Sequence, residues 1–425
     1  MKQSILTALI FMLFANCVYS QPKVKTGIEV LRERNFDILK GKRVGLITNP
    51  TGVDSRLKST ADILFEASEV NLVALYAPEH GIRGNFTAGH HLEDERDEKT
   101  NLPVYSLHGK LRKPTPEILA GIDILVYDIQ DIGSRSYTYI STLGLAMEAA
   151  AENNIEFAVL DRPNPLGGEK IEGVITRSGF FSFVSQFAIP YVHGLTTGEL
   201  AKFLNYEKML NKGVQCKLSV VEMQGWTRDM NFIDTKLPWI MSSPHIPHVE
   251  STFFYPISGI LGELYAYNIG IGYTLPFEVF AGNNIDADKL ANDMNALNLP
   301  GLIFRPIHFR PYYSHAKDTE QHGVQIHIID YKKAPLSLVQ FYFLQEVRKQ
   351  EPNKNIFNDS KSRINMFDKV CGSDEVRIQF TKNYKVDDIK EIWYKDIPEY
   401  KKRIEQYLIY KSASVPQLTV ETDNH

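Results

Sequence analysis

Acidic and basic side chains cluster directly after a short apolar run, in residues 72–84, which read LVALYAPEHGIRG. The first half is rich in Leu, Val and Ala and predicts a buried strand, which Pro78 ends. Glu79, His80 and Arg83 follow at once. Open α/β sheets present their ligand-binding groups at the carboxyl ends of such strands. A solvated polar turn is the alternative for any single glutamate at a strand end.

Two later predicted strands end in similar polar groups. The segments IDILVY (122–127) and IEFAVL (155–160) are followed by Asp128, Gln130, Asp131, Arg135 and Tyr137, and by Asp161, Arg162 and Asn164, respectively. Neighbouring parallel strands lie roughly 5 Å apart, so carboxylates at these ends can reach the separations that glycoside hydrolysis needs. In that reaction one carboxyl group protonates the leaving oxygen, and the other activates water or attacks the sugar.

Structural roles compete with these catalytic ones. Asp128 and Asp131 could cap the turn and helix around residues 133–137, and we expect this for one of the two. For Asp161 and Arg162 we favour a salt bridge that braces the following proline turn over a part in catalysis.

Alternating strands and helices must position these groups. Strands are predicted at 43–48, 72–76, 122–127, 155–160 and 217–221, and helices at 59–68, 114–120, 138–153 and 197–208. Strand, helix, strand units with right-handed crossovers predict a parallel, doubly wound sheet. Glu199 forms a capping box with Thr196 at the last helix, which favours capping over catalysis.

The composition of the sequence changes near residue 250. Residues 239–256 are rich in Pro, His and aromatics and are predicted to form a long loop, typical of a lid or binding wall. Beyond it, strands at 302–306 and 324–329 and helices at 336–350 and 386–410 indicate a smaller α+β unit. We therefore expect two domains, 24–249 and 250–425.

Composition and motifs exclude several classes of function. The chain has 425 residues and a net charge of −4 with no basic stripe, so no nucleic-acid partner is expected. The first strand is followed by NPTG rather than G-x-G-x-x-G, which argues against a dinucleotide. Pro244 and Pro247 break any helix that could carry His245 and His248 as ligands, so we predict neither a metal site nor a cofactor and assign His245 to substrate contact.

Residues 1–20 are predicted to be a secretory signal peptide. A lysine precedes the apolar stretch 5–14, which is too short to span a bilayer. The expected location is therefore the periplasm, as an exported protein with no stable membrane span. Lipid anchoring at Cys17 is disfavoured by the preceding asparagine. Cys216 and Cys371 are expected to be buried thiols rather than a disulfide.

The segments APEHGIRG, LPVYSLHG, VYDIQDIGSRSYTYISTL, LDRPNPLGG, YVHGLTTGELA and LPFE resemble the exo-β-N-acetylmuramidase (NamZ) family of peptidoglycan-recycling enzymes. The resemblance runs from the first strand to the C-terminal helix. It implies a Rossmann-like catalytic N-terminal domain and a smaller C-terminal domain. It also implies release of N-acetylmuramic acid from the non-reducing end of peptidoglycan fragments, and it matches the family's acidic strand-end residue to Glu79.

The resemblance breaks down between Glu263 and Pro276. The family pattern there is E-G-T-N followed by G-R-G-T, whereas this chain has ELYAYN and GIGYT, so Ile271 stands at the arginine position. Substrate contacts are still expected from Glu263 and from Glu278, the glutamate of LPFE.

The catalytic roles are assigned as hypotheses. Glu79 is the expected general acid, because a proline-shielded strand end can desolvate it and raise its pKa. Asp131 or Asp128 would orient water or stabilise the positive charge that develops on the sugar ring, unless the substrate's 2-acetamido group assists instead. The expected substrate contacts are His80, Arg83, Gln130, Arg135, Tyr137, Asn164, His245, Glu263 and Glu278.

The lactyl carboxylate of muramic acid calls for a cation, and arginine is its best bidentate partner. Arg83 and Arg135 are the candidates, and Arg135 precedes a predicted helix N-terminus, which attracts anions. Pairing of Arg135 with Asp131 is an equally supported alternative.

A periplasmic sugar-binding protein without turnover is the competing functional hypothesis. Its stacking platforms would be aromatic residues of the second domain and the segment before it, namely Trp239, Phe254, Tyr265 and Tyr267. Acid groups at several strand ends favour the enzyme.

Overall fold

The computed structural model describes residues 24–78, 81–84, 95–109 and 111–413. The predicted signal peptide with Cys17 lies outside these residues, and so do Glu79 and His80.

A seven-stranded sheet forms the first half of the described chain. Its strands are β1 (Arg43–Thr48), β2 (Asn71–Ala77), β3 (Glu95–Arg96), β4 (Pro103–Ser106), β5 (Ile124–Asp128), β6 (Glu156–Leu160) and β7 (Lys217–Val221). The order is β3-β4-β2-β1-β5-β6-β7, with six parallel strands and an antiparallel β3. The direction of strand addition reverses between β1 and β5, which confirms the predicted doubly wound topology.

Helices cover both faces of this sheet because its strands are apolar on both. Leu125 and Tyr127 of β5 face one core, and Ile124 and Val126 face the other. The helices are α1 (Gly27–Glu33), α2 (Thr60–Glu66), α3 (Tyr139–Glu152), α4 (Thr197–Tyr206) and the short α5 (Phe232–Thr235). The capping box predicted at the start of α4 is present.

The second half is α+β, as predicted. A three-stranded antiparallel sheet has the order β8-β10-β9, with β8 at Val279–Gly282, β9 at Leu302–Phe309 and β10 at Gln321–Ile328. Its helices are α6 (Val249–Gly262), α7 (Ala287–Ala296), α8 (Val339–Val347), α9 (Ile356–Asp359), α10 (Ile364–Cys371), α11 (Glu375–Asn383), α12 (Asp387–Tyr394) and α13 (Ile397–Ile404).

Helix α13 returns to the first half of the chain. Tyr400 and Ile404 join the core that contains Phe203 of α4, and the Tyr400 hydroxyl donates to the carbonyl of His193 at 3.0 Å. The two halves therefore share a core at this point.

Three secondary-structure predictions were wrong. The predicted loop at 239–256 is helical from Val249 onward, because buried side chains at helical spacing, such as Phe253 and Ile257, outweigh the effect of Pro256. Residues 114–120 form turns rather than a helix. The single helix expected at 386–410 is divided into α12 and α13.

Arg135 joins the two halves. Its side chain is fully buried, and Nη1 donates to the carbonyls of Val174 and Ile189, both at 2.6 Å. Nη2 donates to the carbonyls of Val370 and Cys371 at 2.8 and 2.9 Å. These last two acceptors lie at the C-terminus of α10, where the helix dipole favours a cation.

This placement corrects the predictions for Arg135. No hydrogen bond to Asp131 forms among the described residues, and the guanidinium is committed to carbonyl oxygens rather than open to an anion. The contact also constrains Gly372, because a Cβ added there would lie 2.7 Å from Arg135 Nη2.

Replacing Arg135 with methionine is expected to destabilise the protein by about 3 kcal/mol or more, because four buried carbonyls lose their donors. Arg135→Lys should cost less, since an ammonium supplies three donors. Urea unfolding measures both. The control is Arg310→Met, at a side chain that is 66% exposed. Unchanged stability of Arg135→Met would contradict the structural role.

Candidate active site at the carboxyl edge of the sheet

The loops after β1 and β5 meet where the strand order reverses. Thr48 donates its hydroxyl to the carbonyl of Asp128 at 2.7 Å, and the Gln130 N–H donates to the Thr51 hydroxyl at 2.9 Å. Gly52 allows this approach, because an added Cβ would lie 2.1 Å from Thr48 Oγ1. The NPTG turn thus supports the crevice in which ligands of open α/β sheets bind.

Asp128 has a structural partner. Its wholly buried carboxylate receives Arg162 Nε at 2.5 Å and Nη2 at 2.9 Å, and it also accepts the Thr60 hydroxyl. The predicted pairing of Arg162 with Asp161 was wrong, because the guanidinium reaches across to the end of the neighbouring strand. Both oxygens of Asp128 are occupied, which favours bracing over catalysis for this residue.

Asp161 instead holds the start of α4 and the C-terminal segment. It accepts the hydroxyls of Thr196 and Tyr410 and the N–H of Gly198, each at 2.7 Å. Burial raises the pKa of Asp161 to about 7.

Asp131 differs from Asp128 in having an oxygen without a partner. Its Oδ2 accepts the Gly133 N–H at 2.7 Å and so caps the turn, as the structural alternative proposed. Its Oδ1 is buried and has no hydrogen-bond partner within the part of the chain that the structure describes. Buried polar atoms in native structures nearly always have a hydrogen-bond partner, so the exceptions require an explanation. At the carboxyl end of a strand, a functional role for this oxygen is such an explanation.

His193 is the neighbour of Asp131 that sequence reasoning missed. Its Nε2 lies 3.8 Å from Asp131 Oδ2 and is likewise unpaired among the described residues. Its Nδ1 accepts the Leu195 N–H at 3.2 Å, so in the neutral ring the hydrogen sits on Nε2, towards Asp131. In the sequence, the only indication of a role for His193 was its position in YVHGLTTGELA. Its contact with Asp131 could not be predicted, because the two residues are distant in sequence.

Gln130 and Asn164 shape the loop around Asp131. The Gln130 side-chain amide donates to the carbonyls of Asp131 and Pro163, both at 2.8 Å. Asn164 donates to the carbonyl of Leu195 and accepts the Leu166 N–H. Both side chains are buried, so this structure gives them positioning contacts rather than open donors.

Arg83 braces the segment that follows β2. It donates to Asp97 at 2.9 Å through both Nε and Nη2, and Nη2 also reaches Asp62 at 2.9 Å. Burial raises the pKa of Asp97, but hydrogen bonds from Arg83 and Thr100 outweigh it and lower the pKa to about 2. These contacts assign Arg83 to holding the strand end in place.

Tyr137 connects this edge to the second half. Its hydroxyl donates to Ser242 Oγ at 2.9 Å, and burial raises its pKa to about 12, so it stays a neutral donor. Its ring meets the ring of Tyr255 on α6 edge-on at 5.9 Å, and the Tyr255 hydroxyl hydrogen-bonds Ser136 at 3.0 Å.

The predicted substrate-contact residues of the second half lie in two different places. His245 and Glu263 line a cavity of about 310 Å³, and Glu263 pairs with Arg363 at 2.9 Å. Burial raises the pKa of Glu263 in spite of this partner. Glu278 does not line that cavity; it hydrogen-bonds Gln325, and burial raises its pKa as well.

Three further findings concern the described residues. None of their His, Cys, Asp and Glu side chains form a group of three or more that could hold a metal ion. None of their helices is both long and apolar enough to cross a bilayer. Cys216 and Cys371 are both buried free thiols, as predicted.

Replacing Asp97 with asparagine is expected to destabilise the protein by about 1 kcal/mol at neutral pH, because Arg83 is partly exposed and solvent screens the pair. The folded pKa of Asp97 is depressed, so its contribution is present above the unfolded value of 3.8 and is lost as the pH falls towards about 2. Urea midpoints between pH 7 and 2 measure this effect. Asp318→Asn, at a side chain that is 78% exposed, is the control. A pH-independent difference would contradict the assignment.

Comparison with known proteins places the chain in a family. The models of the exo-β-N-acetylmuramidase NamZ N-terminal and C-terminal domains match residues 44–250 and 253–410. The peptidoglycan β-N-acetylmuramidase NamZ of Bacillus subtilis strain 168 is 43% identical over 395 residues, which is 93% of each chain.

Solved structures agree with the family match. A DUF1343 family protein from Bacteroides fragilis has a TM-score of 0.88 at 58% identity, and a second one from that organism has 0.74 at 28%. Each covers 92% of this chain and 99% of its own. The chain therefore belongs to the exo-β-N-acetylmuramidase NamZ family.

Proposed function

We propose that this protein is an exo-acting glycoside hydrolase that releases N-acetylmuramic acid from the non-reducing end of peptidoglycan fragments. The observation that carries the proposal is the similarity along 93% of the chain to a Bacillus protein named as a peptidoglycan β-N-acetylmuramidase. The carboxyl edge supports it, since Asp131, beyond β5, has a carboxylate oxygen with no partner among the described residues.

Glu79 is proposed as the general acid. In the sequence it follows Pro78 directly, just after the end of β2. Strand β1 lies between β2 and β5, which puts the ends of β2 and β5 about 10 Å apart. That spacing leaves room for a sugar between the two strand ends.

Asp131 is proposed to stabilise the positive charge on the sugar ring or to position the attacking group, whether that is water or the 2-acetamido oxygen. Asp128 is set aside because Arg162 and Thr60 occupy its oxygens. His193 is proposed to hold Asp131 in orientation through its Nε2 hydrogen. His80 remains a proposed substrate contact.

We also propose that residues 1–20 are removed on export and that the enzyme works in the periplasm. The support is the charged start and short apolar stretch of this segment. Sequencing of the mature N-terminus from fractionated cells tests this, and a chain that retains Met1 in the cytoplasm would contradict it.

Glu79→Gln is expected to lose activity by on the order of 100-fold or more, because the leaving oxygen is no longer protonated. The loss should be larger on a muramyl disaccharide than on a nitrophenyl N-acetylmuramide, whose leaving group needs less acid. Steady-state kinetics on both substrates measure it, with Glu98→Gln as the exposed control in the same region. Activity within a few-fold of wild type would remove Glu79 from the role. Tight sugar binding by the wild-type protein without product release would favour the binding protein instead.

His193→Phe is expected to lower kcat by about tenfold, the worth of one hydrogen bond, while KM changes little. His193→Gln should recover part of this loss, because its amide can also donate towards Asp131. The matched control is His327→Gln, at an exposed histidine of β10. Equal losses in the two His193 variants, or a loss in KM alone, would assign His193 to structure.

A further inference from the structure

The NPTG turn after β1 contains a buried polar atom that none of the roles assigned above uses. Asn49 is 2% exposed, and its Nδ2 has no hydrogen-bond partner among residues 24–78, 81–84, 95–109 and 111–413. Burying an amide donor without an acceptor is costly, so native structures rarely contain one. A ligand that brings an acceptor to Asn49 would explain this donor.

The orientation of the Asn49 amide is fixed by its own turn. Its Oδ1 accepts the Thr51 N–H at 3.0 Å and the Thr51 hydroxyl at 2.5 Å. A backbone N–H can only donate, so the side-chain atom that faces it must be the oxygen, and Nδ2 occupies the other side of the amide. Asn49 therefore offers a ligand a donor and not an acceptor.

Asn49 lies between the two strand ends that carry the proposed catalytic groups. In the parallel registers of β1, Ile47 pairs with Tyr76 of β2, and Thr48 pairs with Asp128 of β5. Asn49 is the next residue of the chain, so it stands at the carboxyl end of the strand that separates β2 from β5. The strand order reverses beside this strand, which is where open α/β sheets bind their ligands.

Two hydrogen bonds connect Asn49 to the loop of Asp131. The Thr51 hydroxyl donates to Asn49 Oδ1 and accepts the N–H of Gln130, the residue before Asp131, at 2.9 Å. Asp131 Oδ1 is buried and has no partner among the described residues. An unsatisfied donor and an unsatisfied acceptor therefore lie on neighbouring loops without bonding to each other. A ligand group that contains both an acceptor and a donor would satisfy the two atoms together.

A secondary amide is such a group, because its carbonyl oxygen accepts and its N–H donates on separate atoms. A carboxylate of the ligand would instead meet Asp131 with the same charge. Arg162, the cation that follows β6, does not offset that charge, since its guanidinium is bonded to Asp128 and to the carbonyl of Val53. N-acetylmuramic acid carries one secondary amide, the acetamido group at C2.

We propose that Asn49 determines specificity for the N-acetyl group, with Nδ2 donating to the acetyl carbonyl oxygen of N-acetylmuramic acid while Asp131 accepts the amide N–H. The inference rests on the proposed function, because it places muramic acid at the carboxyl edge. A muramic acid with a free amino group offers Asn49 no acceptor at this position. Its binding should therefore not depend on the Asn49 side chain.

The test measures dissociation constants of the purified protein for N-acetylmuramic acid and for muramic acid by NMR titration. Asn49→Ser keeps an oxygen that can accept the Thr51 N–H, but its shorter hydroxyl does not reach the position of Nδ2. It is expected to weaken the binding of N-acetylmuramic acid by about tenfold and to leave muramic acid within about twofold. The matched control is Asn231→Ser before α5, because Asn231 accepts the Ile233 N–H at 2.8 Å with the same two-residue spacing. This control should change neither constant.

Equal weakening of both sugars by Asn49→Ser would overturn the inference, because Asn49 would then only shape its turn. Unchanged binding of N-acetylmuramic acid would overturn it as well, since the donor would be unused. If Asn49→Ser does not fold, Asn49→Asp keeps the shape and the acceptor, replaces Nδ2 with an oxygen, and should show the same selective loss at pH 8. Wild-type protein that releases no N-acetylmuramic acid from a muramyl disaccharide would refute the proposed function, and this separate assay distinguishes the two failures.

Discussion

The buried ion pair between Asp128 and Arg162 is the contact on which the carboxyl edge depends. It joins the end of β5 to the loop after β6, and Arg162 Nη2 also donates to the carbonyl of Val53 at 2.8 Å, beyond β1. Three strand ends are thus tied to one guanidinium. Desolvating two charges is costly, but removing either partner leaves the other buried and unpaired at a cost of about 3–5 kcal/mol. The loop that carries Asp131 begins directly after this pair.

Neighbouring carboxylates at this edge have different roles. Asp128 and Asp161 are saturated with donors and hold elements together, whereas Asp131 retains an oxygen without a described partner. In the sequence all three acids lie just after predicted strands, and nothing there separates Asp128 from Asp131. The number of donors that the fold brings to each one distinguishes them.

The strands of the large sheet and the cap of α4 were predictable, because continuous apolar runs and the Thr196–Glu199 spacing are local signals. The contacts of Arg135 were not, because its acceptors are backbone carbonyls and carry no residue-type signal. The proximity of Asp131 to His193 could not be predicted either, because it arises where two loops that are distant in sequence meet. Helix α6 was missed because the prolines of residues 239–256 favoured a loop, although only Pro256 lies within the helix. Glu79 lies outside the described residues, so its assignment still depends on the sequence.

The return of α13 to the first half has a consequence for how the chain can be divided. The two family models meet between residues 250 and 253, which suggests a cut there. Such a cut would separate Tyr400 and Ile404 from the core around Phe203 and would strip the Tyr410 hydroxyl from Asp161. The N-terminal fragment would then expose an apolar surface, and the buried Asp161 would lose one of its three donors. We therefore expect the two halves to unfold as one cooperative unit, because residues of α13 and Tyr410 complete the packing of the first half.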